Sequence, residues 1–119
     1  MSTQITAEEG GTMPVACALT PANLAAQRDH WERLADRAMT ERVKTAGGLR
    51  LAFRPEPGVE QELRALVAVE NECCPWATWS VEANAQRVAL EVRSTGAGIA
   101  VLHSMFANLR PAARQRLEA

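Results

Sequence analysis

No stretch of this chain approaches the roughly 20 apolar residues that a membrane-spanning helix needs. Residues 1–11 also lack the basic and apolar regions of a secretory signal. The sequence therefore predicts a cytoplasmic protein with no membrane partner. Neither sign of charge prevails, since 13 Lys and Arg face 14 Asp and Glu. A surface so balanced offers no footprint for nucleic acid, an anionic membrane or a polyanionic substrate. Cysteine is scarce, at three residues. Three thiols cannot all pair within one chain, and a reducing compartment would keep them as thiols, so a disulfide scaffold is a poor account of them. Metal binding and thiol reactivity are the uses that remain.

What is present suffices for one core. A chain of 119 residues with 47% hydrophobic content suits a single domain that needs no cross-links. Residues 1–14 are polar and Gly/Thr-rich without an apolar period, which predicts a flexible leader, followed by one α+β domain over 15–110 and a polar C-terminal tail over 111–119. Thr20 before Pro21 is a helix opening, because the hydroxyl caps an orphan N–H and proline loses nothing in the first turn. The stripe Leu24, Trp31, Leu34, Ala35, Ala38 carries that helix to about Ala38.

From Thr40 the period changes to two, and Leu49, Leu51 and Phe53 alternate after a turn at Ala46-Gly47-Gly48. Pro55 and Pro57 stop that strand, and a second helix is expected from about Val59 to Pro75. A second hairpin follows, with Trp79, Val81 and Ala83 on one arm and Val88, Leu90 and Val92 on the other. After Gly96-Ala97-Gly98, a third helix presents Ile99, Leu102, His103, Met105, Phe106 and Leu109. The order α-ββα-ββα predicts an α+β fold with a four-stranded, largely antiparallel sheet and helices on one face.

Chemistry concentrates in Glu70-Asn71-Glu72-Cys73-Cys74-Pro75-Trp76. Adjacent cysteines close only a strained ring with each other, so they suit a soft cation better than a disulfide. Thiolates favour soft ions such as Hg, Cu and Zn, and a third ligand would come from elsewhere, with Cys17 the candidate. The competing account is that cysteine is a small, commonly buried hydrophobe that simply packs. The negative end of the helix dipole at Cys73 and Cys74 disfavours thiolates, so activation needs help. Glu70 shares the apolar stripe with Leu63, Leu66, Val67 and the two thiols. It is either a proton carrier or the partner of an arginine such as Arg50 or Arg54. Glu72 is expected on the wet face. His103 is a candidate ligand or a hydrogen-bonded core residue, and His30 has no evident partner. Trp31, Trp76 and Trp79 are candidates for the wall of a pocket near the thiols.

Together, Ala16-Cys17-Ala18-Leu19-Thr20-Pro21, the strand Leu49 to Arg54 and the Glu70 to Trp76 segment resemble a family of small, mostly uncharacterised bacterial proteins. That family shares a cysteine before the first helix, an aromatic-arginine strand and an E-x-x-C-C-P-aromatic motif, usually with Phe where this chain has Trp76. The resemblance spans residues 16–106 and implies a common site of Cys17, Glu70, Cys73 and Cys74. The expected function is soft-metal or metalloid (Hg, Cu, As) binding through the thiolates of Cys17, Cys73 and Cys74, in metal handling or detoxification. The alternative is a cysteine-dependent enzyme acting on a thiol-reactive small molecule, with Cys73, Cys74 and Glu70 catalytic. Neither reading requires an organic cofactor.

Overall fold

The computed structural model describes residues 20–111. It runs α1 (Pro21–Ala38), β1 (Met39–Thr45), β2 (Gly48–Phe53), α2 (Val59–Cys73), β3 (Thr78–Ala83), β4 (Val88–Arg93) and α3 (Ala97–Met105). These are the three helices and two hairpins read from the pattern, in the α+β order expected. The leader at 1–14, the tail beyond 111 and Cys17 lie outside the described residues. Among the described residues, no helix is long and apolar enough to cross a membrane.

The four strands form one antiparallel sheet in the order β1-β2-β4-β3, so the hairpins meet through β2 and β4 at its centre. Leu49, Leu51 and Phe53 stand opposite Val92, Leu90 and Val88, and all six are buried. Because successive strand side chains point to opposite faces, these six build one apolar face, and the helices pack on it. Full burial of one such side chain contributes about 1.5–3 kcal/mol. Arg50, Ala52, Ala89 and Glu91 fall on the other face. Gly48 is required where β2 meets β4, since a Cβ there would run into the carbonyl oxygen of Val92.

The edge strand departs from a plain alternation. Met39 pairs with Phe53 and Glu41 with Ala52, so two steps along β1 match one step along β2. This bulge turns Met39, which is fully buried, onto the core face although Glu41 points the other way. Val43 pairs with Arg50 and so lies on the face away from Leu49 and Leu51. Arg42 and Lys44 take the outer rim of the helical face, which discourages a further strand from pairing there.

Helix α1 starts as its sequence dictates, with the Thr20 hydroxyl accepting from the Asn23 amide at 3.2 Å and proline in the first turn. Its other end has no linker. Ala38 is followed directly by β1, and the Met39 N–H still donates to the Ala35 carbonyl. Arg54 secures this junction, its backbone N–H donating to Ala38 O at 2.9 Å and its guanidinium to Arg37 O and Glu56. Helix α2 opens after Gly58 in the left-handed region, with Glu60 and Glu62 in the turn where negative charge is favoured.

Helices α1 and α2 are tied by a polar clasp. His30 Nε2 lies 2.8 Å from Glu62 Oε2, and Arg37 Nη2 donates to Oε1 at 2.6 Å. Burial alone would raise the Glu62 carboxyl, but hydrogen bonds and charge from Arg37 and His30 outweigh it and hold the group below its ordinary 4.5. A carboxylate depressed on folding contributes stability above its unfolded pKa, and that contribution is lost as pH falls through the folded value. The wild-type chain is therefore expected to lose stability below about pH 4.5, with Glu62→Gln flattening that limb in urea denaturation. The pair is partly exposed, so the change is small. Curves of equal slope for the two proteins would remove the clasp from the account.

Candidate functional site

The site follows from the phase of α2. Val59, Leu63, Leu66, Glu70 and Cys73 recur at three- and four-residue steps and are all buried. The helix ends at Cys73, with the Cys74 N–H donating to Glu70 O at 2.6 Å before Pro75 removes the next donor. Glu70 and Cys74 are thereby one turn apart on the inner face, at 4% and 1% exposure.

A buried carboxylate needs donors, and α1 supplies them. Trp31 Nε1 donates to Glu70 Oε2 at 2.8 Å, and Gln27 Nε2 donates to the same oxygen at 3.0 Å. Gln27 also donates to Leu66 O at 3.1 Å, which fixes its amide. With Oε2 held from α1, the other oxygen is turned toward Cys74, whose Sγ lies 3.9 Å from Oε1. The arginine partner expected for Glu70 is not what the structure shows. Arg54 serves the α1–β1 junction, Arg50 lies on the opposite face of the sheet, and no salt bridge among the described residues includes Glu70. The physical reason is that α1 packs against α2 here and offers two neutral donors one turn apart.

Glu70 and Cys74 both line a cavity of about 450 Å³ between α1, the end of α2 and α3. Its walls are Trp31, Trp76, Val101, Met105, Phe106 and Leu109, while exposed Leu24, Arg28, Ser104 and Asn108 mark its open side. Trp31 meets Phe106 edge-on, with ring centroids 5.0 Å apart and an interplanar angle of 81°. Gly98 opens α3 close against Trp76 and Ser94, where a Cβ would collide with the serine side chain. The Ser94 hydroxyl in turn donates to Trp76 O at 3.0 Å, which holds the cavity wall.

The remaining sequence candidates are distributed as follows. Cys73 is buried but is not among the residues lining the cavity. Trp79 is not among them either. It packs edge-on against Phe106 at 6.2 Å, and its Nε1 donates to Cys74 O at 3.4 Å, so it supports the thiol's backbone. His103 Nε2 lies 2.6 Å from Gly48 O and pins α3 to β2. Gly96-Ala97-Gly98 is the entry to α3, and Glu72 is exposed. Among the described residues, no group of three or more His, Cys, Asp or Glu is placed to hold a metal ion.

Sequence reading missed Gln27. Its signal was its spacing, since it lies four residues before Trp31 on the stripe that faces α2. It also missed that the segment after α3, through Asn108 and Leu109, lines the cavity. No family model, curated protein or solved structure matches the chain.

Proposed function

We propose that this protein captures a soft metal or metalloid through thiolate, in metal handling or detoxification, with Cys74 as the sulfur that meets the ligand. The observation that carries the reading is that Cys74 and Glu70 line one cavity with Sγ and Oε1 3.9 Å apart. Cys73 adjoins Cys74 in the chain, and Cys17 lies three residues before Thr20, so the sequence holds two further thiols. A sulfur at a helix C-terminus gains nothing from the dipole, so its proton needs an acceptor. Glu70 is that acceptor. For a ligand M–X, the S–M bond forms as M–X breaks, X leaves with the bonding pair, and the thiol proton passes to Oε1. The metal is cargo, and no resident cofactor is invoked.

The same proton carrier beside a sulfur favours a second reading, a cysteine-dependent enzyme acting on a thiol-reactive small molecule. Turnover would distinguish it from stoichiometric capture.

The test is a titration of the reduced protein with Hg(II) or arsenite against excess glutathione. The expected result is retention of stoichiometric ligand by the wild type. Glu70→Gln keeps the size and an oxygen acceptor for Trp31 and Gln27, so it is expected to fold normally. Its capture, followed by stopped-flow tryptophan fluorescence, should be slower by about a hundredfold or more, since it lacks the proton acceptor. Loss of all ligand to glutathione by the wild type would reject the binding function, and an unchanged rate in Glu70→Gln would reject the role of the carboxylate.

A further inference from the structure

Resting on the reading above, we infer that the ligand of this site is a soft centre that already carries an apolar carbon substituent of aryl size, rather than a bare ion. A bare ion would use the sulfur and the carboxylate and leave the rest of the cavity without a purpose. The cavity holds about 450 Å³. Apolar cavities of about 150 Å³ take up a benzene ring, so there is room here for one beside the sulfur. The walls match such a group, with the indoles of Trp31 and Trp76, the Phe106 ring and the Met105 thioether around it. Coordination agrees. A linear centre bonded to one carbon needs a single sulfur, and Cys74 is the one described cysteine that lines the cavity.

The step balances without an oxidant or reductant. For R–M–X, the Cys74 sulfur forms S–M as M–X breaks, X departs with the bonding pair, the proton moves to Glu70 Oε1, and the R–M bond is untouched. The two inward donors of α1, Gln27 and Trp31, are already engaged by Glu70 and by Leu66 O, and the charged Arg28 stands at the open side. Selection among ligands therefore falls to the apolar walls.

The experiment uses the full chain with Cys17→Ser and Cys73→Ser, which leaves Cys74 as the sole thiol. Phenylmercuric acetate and methylmercuric acetate are each competed against glutathione, and bound mercury is read by intact-mass spectrometry. Burial of the ring is expected to raise the phenyl-to-methyl preference of the protein above that of glutathione by roughly tenfold to a hundredfold. Met105→Trp, which fills the wall, should return the ratio to that of glutathione, and Val101→Phe provides the same test at a half-buried position should the first variant fail to fold. A ratio in this Cys74-only chain equal to that of glutathione overturns the inference while leaving capture intact. Failure of Cys74 to hold either mercurial against glutathione would instead reject Cys74 as the sulfur that meets the ligand, the part of the reading on which the inference rests. A ratio that stays high in the folded, filled variant also overturns it, because the ring would then sit elsewhere.

Discussion

Cys74→Ser is expected to abolish ligand retention against glutathione, whereas Cys73→Ser should weaken it far less. Serine keeps the shape of the site but replaces a soft donor with a hydroxyl that has little affinity for soft ions and stays protonated at neutral pH. The asymmetry between neighbours is the informative part. Both residues are buried, yet Cys74 is the one of the two that lines the cavity, with its Sγ 3.9 Å from Glu70 Oε1. Bound metal measured after gel filtration in glutathione checks this, with circular dichroism to show that both variants fold. Equal losses in the two variants would mean that the sulfurs act as a pair. Loss in Cys73→Ser alone would move the site off the cavity.

Trp31→Ala carries the largest expected cost to stability. Its indole is 4% exposed, meets Phe106 edge-on and donates to a buried carboxylate. Truncating a buried tryptophan to alanine typically costs about 3–5 kcal/mol, a large part of the roughly 5–15 kcal/mol that keeps a domain folded. Trp31→Phe separates the two contributions, since it retains a ring against Phe106 but leaves Glu70 short of one donor, at a cost of about 1–3 kcal/mol. Urea midpoints at unchanged slope give both values. A loss below about 1 kcal/mol in Trp31→Ala would contradict the burial assigned to the indole. Equal losses in the two variants would place the whole effect on the hydrogen bond.

The fold was legible because its signals are local. Thr20-Pro21 marks a helix start whatever surrounds it, and the switch from a three-four spacing to a strict alternation at Leu49, Leu51 and Phe53 needs no knowledge of partners. The bulge before Glu41 left no such mark, since an extra residue in a strand changes the register without changing composition. At the site, the stripe on α2 led to Glu70 and the thiols as inward-facing groups, and all three are buried. What surrounds them was not legible. The alternative that paired Glu70 with an arginine follows from how often buried carboxylates meet charge, but its donors lie 39 and 43 residues away on α1. Contacts at that separation depend on how two helices cross, which no single-helix periodicity contains. The same holds for the cavity, which needs α3 and the turns after it to close over α1.

The unlinked passage from α1 into β1 restricts where this chain can change its length. One residue added between Trp31 and Ala38 would turn the preceding helix by about 100° relative to the strand, because nothing between them could absorb the rotation. Gln27 and Trp31 would then swing together away from Glu70, and the apolar stripe would leave the sheet. The turn between β3 and β4 is free of that restriction. There Asn84 Oδ1 accepts from the Gln86 and Arg87 amides in an exposed loop remote from the cavity. Insertions and deletions among homologous chains should therefore gather near Asn84 and be missing from residues 27–39.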